Sequence, residues 1–394
     1  MKKIRLKKNE ERRLLAGHQW VFSNEILEAD PAIETGEVVS LYSFSRQFLG
    51  IGFFNRHSLI AFRHLSWHDE PIDKAFFLRR LEAALQLRRR LYPDSETNTY
   101  RLVHAESDRL PGLIVDRFAD VLSVQTFSAG MEQRLDEICA ALETLLAPKA
   151  IVIRNESELR KLEGLSLYQR IASGTVDAPI EIFDADLTYQ VDVLRGHKTG
   201  FFLDQRENRK RIRKFAYHQR VLDVFCSDGG FALNALRAGA AEVVAMDSSA
   251  DALARARCNA ARNGFSQLET IEADAFDYLA KLLERKAQFD LIILDPPSLT
   301  KSKKTLQTAV HAYRKLNRLA MGLLRPGGIL ATASCSHHLT EEMFVQMLAK
   351  AAQDAARCIQ ILEQSTQAPD HPILPAMPET RYLKFALLYV QPAS

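Results

Sequence analysis

The spacing of apolar positions changes character three times along this chain of 394 residues. Over residues 1–70 short alternating runs at 37–42, 48–54 and 59–65 predict strands, punctuated by turn signals at Thr35-Gly36 and Asn55-Arg56. Short strands with tight connections predict a compact β-barrel. From Pro71 to Leu91 the period lengthens. Ile72, Phe76, Phe77, Leu81, Ala84, Leu85 and Leu87 recur at helical spacing with arginines opposite, and Tyr92-Pro93-Asp94 ends the helix. Strands at 112–116, 121–125 and 150–154 and a helix over 131–146 predict an α+β domain spanning 71–180, with its seam in a loop at 172–179. Over 181–394 apolar strands alternate with amphipathic helices. The strands are predicted at 220–225, 242–246, 269–271, 289–294 and 328–333, the helices at 230–238, 250–263 and 309–324. That alternation predicts an α/β, doubly wound parallel sheet of Rossmann-like type.

Composition narrows this picture only slightly. With 47% hydrophobic and 26% charged residues and a net charge of +3, the chain is an ordinary folded one rather than a disordered or strongly polyanion-seeking one. Basic residues gather locally at Lys2 to Lys8, at Arg88-Arg89-Arg90 and from Arg206 to Lys214. Each reads first as a solvated face, and together they favour a phosphate-rich partner modestly. The five cysteines, Cys139, Cys226, Cys258, Cys335 and Cys358, form no C-x-x-C pair, so neither a disulfide framework nor a metal site is expected. No apolar run matches a bilayer span or a secretory leader, which makes the cytoplasm the expected compartment and no membrane the expected partner.

The chemistry concentrates at the predicted strand ends. Asp223 closes the first strand and is followed by Phe225, a small turn through Gly229, and a helix, so a ligand can approach the backbone and meet the helix N-terminus. Asp247 ends the second strand, where a carboxylate can accept both ribose hydroxyls of an adenosyl cofactor. Asp274 and Ala275 follow the third; Asp274 can take the adenine amino group and Phe276 can lie on the ring. Asp295-Pro296-Pro297 closes the fourth. The turn lacks the G-x-G-x-x-G spacing of dinucleotide enzymes. Four acidic strand ends with a D-P-P therefore point to S-adenosylmethionine, against the plainer possibility that these aspartates only cap helices.

Cys335, between Ser334 and Ser336, ends the next strand on the side where an open α/β sheet binds its ligand. A thiolate there suits one reaction. Added to carbon 6 of a pyrimidine, it turns carbon 5 into a nucleophile for an activated methyl group, and a carboxyl group such as Asp295 at the ring-nitrogen edge would stabilise the charge created. Cys139, Cys258 and Cys358 lie in helical patterns and read as inert, and Cys226 reads as packing in the turn.

Several runs carry a resemblance that extends nearly end to end. They are His18-Gln19-Trp20-Val21-Phe22-Ser23, the stretch from Glu106 to Arg117, Gly196-His197-Lys198-Thr199-Gly200-Phe201-Phe202-Leu203-Asp204-Gln205-Arg206, the Asp223 turn, Asp295-Pro296-Pro297, Ser334-Cys335-Ser336 and Asp370-His371-Pro372. The chain resembles the RlmI-type 23S ribosomal RNA (cytosine-5-)-methyltransferases. That resemblance implies a PUA domain at 1–70 that holds RNA, a central domain at 71–180 and a Rossmann-like methyltransferase domain at 181–394. It implies that Lys198, Thr199, Gly200, Phe202 and Gln205 serve the methionine end of S-adenosylmethionine, that Cys335 is the nucleophile, and that 23S ribosomal RNA is the partner; a homodimer is left open. Other RNA cytosine-5 methyltransferases carry a second cysteine where this chain has Ser298, and RlmI-type members often have Lys-Phe where it has Ser298-Leu299. Two rival readings are a ribosomal RNA guanine-nitrogen methyltransferase, which would need no cysteine, and a catalytically silent ribosome-assembly factor.

Overall fold

A computed structural model of the chain describes residues 1–176, 179–196, 199–300 and 302–393. The chain divides into two compact units. The first takes residues 1–185, 191–203 and 369–380. The second takes 186–190, 204–368 and 381–394.

The first unit opens with β1 (Lys3–Leu6), α1 (Glu11–Leu15), β2 (Trp20–Phe22), β3 (Ile26–Ala29), β4 (Val38–Tyr42), β5 (Phe48–Phe54) and β6 (Ile60–Ser66). The six strands form one sheet in the order β2-β6-β5-β4-β1-β3. Ile4, Leu6, Val39, Leu41, Phe54 and Phe62 fill its interior. The α2 helix (Lys74–Leu91) starts at Asp73, whose side chain accepts the Phe76 N–H. Then come β7 (Thr99–His104), β8 (Leu113–Phe118), β9 (Val121–Thr126), α3 (Ala129–Gln133), α4 (Leu135–Leu146), β10 (Ala150–Asn155), β11 (Tyr168–Gly174) and β12 (Ile180–Asp184), with β7 to β11 in one sheet. One core joins the two sheets. Ile51, Phe53 and Leu65 of the first pack with Phe76, Phe77, Leu81, Val103, Val115 and Ile138. Arg63, almost fully buried, ties them again through Glu106 at 3.1 Å and Glu163 at 3.0 Å. Ala172, Ser173 and Gly174, expected in a loop, end β11 instead, paired to β10. Asp177 and Ala178 of the expected seam lie outside the described residues, and the division between the units falls at Ala185.

Two basic clusters send members inward, while Arg89 and Arg90 stay exposed. Arg88 is fully buried, donates to both carboxylate oxygens of Asp108 at 2.5 and 2.8 Å, and donates to the Asp370 carbonyl at 2.8 Å. In the second unit Arg206 and Arg209 are buried, Arg211 and Lys214 pair with Glu363, and Arg213 pairs with Asp186. These residues serve packing rather than an exposed phosphate-binding face. The stretch 369–380 returns from late in the sequence to the first unit. There Asp370 accepts the Arg101 N–H at 2.9 Å, and Ser107 donates to the Pro372 carbonyl at 2.7 Å.

After β13 (Leu187–Val191), which spans the division, the second unit contains α5 (Arg206–Arg211), β14 (Arg220–Val224), α6 (Gly230–Arg237), β15 (Glu242–Asp247), α7 (Ala250–Arg262), β16 (Leu268–Glu272), α8 (Ala275–Glu284), β17 (Phe289–Leu294), α9 (Leu306–Leu323), β18 (Leu324–Ser334), α10 (Glu341–Asp354), β19 (Arg357–Ser365) and β20 (Lys384–Pro392). Its seven-stranded sheet runs β16-β15-β14-β17-β18-β20-β19. The first five strands are parallel, as expected. Only β20 is reversed: it runs antiparallel to both β18 and β19, so the edge strand β19 points the same way as the first five. Alternation sorts each strand's side chains between two cores. Leu222, Val224, Leu330 and Ala386 face α8, α9 and α10, while Val221, Ile293, Ala331, Ala333 and Phe385 face α6.

Candidate active site

Three adjacent strands end at one edge of the second unit's sheet. Continuing the alternation of β14, β17 and β18 puts Asp223, Asp295 and Cys335 on the α6 side, and Cys335 packs with Ala331, Ala333, Cys226 and Phe231 there. Asp223 is fully buried. Its Oδ2 accepts the Ala232 N–H in the first turn of α6 at 2.9 Å, whereas Oδ1 has no hydrogen-bond partner among the described residues. Burial pushes the Asp223 carboxyl up to about 8. The Ala232 N–H opposes that rise, and the negative charges of Asp295 and Asp247 add to it.

The turn between β14 and α6 is wound tightly. Phe225, Ser227 and Gly229 all have positive φ, at 66°, 48° and 80°. Gly230 opens the helix where a Cβ would stand 2.5 Å from the Arg209 guanidinium. Asp247 pins this turn: its two oxygens accept the N–H groups of Ser227 and Ser249, each at 3.0 Å. Asp228 is held by Arg255 at 2.6 Å. On the other side, Asp295 Oδ1 accepts from Gln205 Nε2 at 2.8 Å, and Gln205 in turn accepts from Asn208 at 2.6 Å. The side chain of Asp274 is an exposed helix cap, accepting from Phe276 and Asp277 at 2.8 and 3.2 Å. Capping is thus what the structure shows for Asp274, with Ala275 buried behind it and Phe276 under the Lys315 ammonium.

Thr199, Gly200 and Phe202 belong to the first unit, and Lys198 lies outside the described residues. Thr199 Oγ1 donates to Asp116 at 2.5 Å. Gly200 has φ 142°, and a Cβ there would meet Val191 at 2.8 Å.

Around Cys335 the polar groups are mutually engaged. The Ser336 hydroxyl bonds Tyr313 at 2.9 Å and Ser298 at 3.1 Å, which links the D-P-P loop to the cysteine loop. Lys384 Nζ donates to the carbonyls of Ser336 and Tyr382 at 2.7 and 2.8 Å. Burial pulls the lysine down to about 8, and Cys335 is the largest influence opposing that shift. Neither Lys384 nor Tyr313 stood out in the sequence. Their one signal is polarity where an apolar pattern expects none: Lys384 at the start of a run of apolar residues, Tyr313 on the inward stripe of α9. The other cysteines differ from Cys335. Cys139 and Cys226 are buried, with burial pushing the first up to about 11 and the second up as well, while Cys258 and Cys358 are exposed.

The donor set fits a ligand with ribose hydroxyls, an ammonium group and a positively charged sulfur. A buried carboxyl oxygen waits without a donor, and further carboxylates surround the turn. The fold and site define an S-adenosylmethionine-dependent methyltransferase. A family model described as S-adenosylmethionine-dependent methyltransferase matches residues 101–385, and one described as a PUA-like domain matches residues 4–67. The chain is 40% identical over 383 residues to ribosomal RNA large subunit methyltransferase I of Erwinia tasmaniensis, covering 96% of this chain and 97% of that one. It is 38% identical over 383 residues to the Escherichia coli O157:H7 protein of the same name, covering 96% and 97%. The chain belongs to this ribosomal RNA large subunit methyltransferase I family, and its cofactor is S-adenosylmethionine. Its fold is also that of SMU.776 solved in complex with SAH, at a TM-score of 0.86 and 21% identity over 99% of this chain and 100% of that one. No helix among the described residues is long and apolar enough to cross a membrane.

Proposed function

We propose that the protein methylates carbon 5 of a cytosine in large-subunit ribosomal RNA, with Cys335 as the nucleophile. The relatives' name supports the RNA. The observation that carries the chemistry is a half-buried thiol one strand from Asp295 and two from Asp223, all on one sheet face. The bound cofactor supplies a methyl group activated by positively charged sulfur. The chain's residues supply the rest. The Cys335 thiolate donates its electron pair to carbon 6, and the ring's double-bond electrons shift toward carbon 5 and the ring nitrogen. The Asp295 carboxyl, oriented by Gln205, acts in its protonated form: it passes its proton to that nitrogen edge as charge gathers there and takes it back when the ring is restored. After carbon 5 has gained its methyl group it loses its proton to a base. The carbon 5–carbon 6 double bond re-forms, and the sulfur leaves with its electron pair. The target base must leave its stack for both ring carbons to be reached.

Asp223, Phe225, Gly229, Asp247 and Gln205 line the cofactor's side of this reading, with Asp274, Ala275 and Phe276 at its adenine. Lys198, Thr199, Gly200 and Phe202 join it on the resemblance alone. Residues 4–67 are the RNA-holding part, and the cytoplasm, where ribosomal RNA meets its modifying enzymes, is the assigned compartment. Mass-spectrometric mapping of 5-methylcytosine in 23S ribosomal RNA, from cells with and without the protein, tests the reading. One cytosine should lose its methyl group in the protein's absence, and an unchanged map would refute the assignment.

A further inference from the structure

Lys384 is the one buried lysine among the described residues. Burying an ammonium without compensation costs several kcal/mol, so its surroundings are informative. It begins β20, directly paired with Ser334 at the end of β18. Two of its three N–H donors go to the carbonyls of Ser336 and Tyr382. The first of these carbonyls belongs to the residue after Cys335, so the ammonium fixes the backbone on which the thiol is mounted. The titratable and charged groups that act on Lys384 are Cys335, Arg381 and Glu341. The last two neutralise each other in an ion pair of 2.8 Å. Tyr313, on α9, is another titratable group in range of the same thiol. No carboxylate lies among the hydrogen-bond partners of the lysine. The largest influence favouring its charge comes from Cys335.

We propose that Lys384 is the positioning residue for Cys335, holding the thiol as thiolate by its charge and holding the cysteine loop through the Ser336 carbonyl. This inference rests on the reading of Cys335 as the nucleophile and deepens it. It places a cation where ionisation of a thiol among apolar neighbours needs one: the opposing charge is built into the neighbouring strand. It also gives a reason for the antiparallel β20, which brings a side chain from the end of the sequence to the β18 terminus.

The test is the alkylation rate of each cysteine by iodoacetamide, in the full-length protein without cofactor or RNA, followed by peptide-resolved mass spectrometry from about pH 6 to about pH 9.5. In Lys384→Met the midpoint of the Cys335 rate should rise by about one pH unit, with roughly tenfold less thiolate at neutral pH. Exposed Cys258 and Cys358 should be unchanged, and Lys384→Arg, which keeps the charge, should leave the midpoint close to that of wild type. An unchanged Cys335 midpoint in folded Lys384→Met overturns the proposal. Should that variant not fold, the reciprocal measurement decides. The Lys384 pKa, followed by NMR of the isotopically methylated amine, should fall in Cys335→Ser, and an identical titration in both proteins overturns the pairing. Full turnover by Cys335→Ala would remove the nucleophile reading itself. Loss of turnover there with no midpoint shift in Lys384→Met would remove only the role given to the lysine.

Discussion

Replacing Asp223 by asparagine should stabilise the cofactor-free protein at neutral pH while weakening its hold on S-adenosylmethionine. Asparagine keeps the shape and can still accept the Ala232 N–H that Asp223 accepts at 2.9 Å. It removes the ionisable group. In the unfolded chain an aspartate is ionised above about pH 4. In the fold, burial raises Asp223 to about 8, so the native state keeps a proton that the unfolded state has released. Stability therefore falls as pH rises from about 4 to about 8, by roughly 1.4 kcal/mol per pH unit. At pH 7 the accumulated cost reaches about 4 kcal/mol, or about 2 kcal/mol where water reaching the open strand ends screens the charge. The Asn variant lacks this slope, so the two proteins should match near pH 4 and diverge by about 2 to 4 kcal/mol near pH 7. Urea unfolding at both pH values reads the difference. Calorimetry in buffers of different ionisation enthalpy should show wild type releasing about one proton on binding the cofactor at pH 7, and the variant none. A variant equally destabilised at both pH values, binding the cofactor as tightly as wild type, would refute the reasoning.

Cys335→Ala should bind S-adenosylmethionine with wild-type affinity by calorimetry yet transfer no methyl group to undermethylated ribosomal RNA. Gly130→Ala should destabilise the first unit by about 2 kcal/mol or more in thermal unfolding, because the new Cβ would stand 2.0 Å from the buried Phe53 ring. The pair Lys8→Ala and Arg12→Ala, both exposed on the PUA-like unit, should lower the salt slope of RNA binding by about one for each phosphate no longer neutralised, in a filter-binding titration.

Much of the second unit was legible because parallel strands buried on both faces read as apolar runs ending abruptly in a charge. Asp223, Asp247 and Asp295 were visible for that reason. Asp274 was visible too, and in the structure its Oδ1 also caps α8, a helix the sequence pattern left unassigned. The edge strand β19 shows mostly exposed positions and carries too few apolar residues to signal a strand. At the other end, Lys3-Ile4-Arg5-Leu6 reads as a basic cluster, while its alternation buries Ile4 and Leu6 in the sheet. Arg88 illustrates the general reason for such misses. Whether an arginine is solvated or buried depends on a carboxylate far away in sequence, here Asp108, and on the Asp370 carbonyl 282 residues further on. No local pattern carries that information.

The return of residues 369–380 to the first unit bears on how the protein is made. A ribosome releases the chain from its beginning, and amino-terminal units ordinarily fold first. Here the guanidinium of Arg88 and the backbone N–H of Arg101 receive partners from Asp370, which is synthesised 282 and 269 residues later. The first unit can collapse early but completes its interior only after residues 369–380 have been made. A message cut short or a ribosome stalled before that point therefore yields a recognisably unfinished product, one whose buried Arg88 still lacks one of its acceptors.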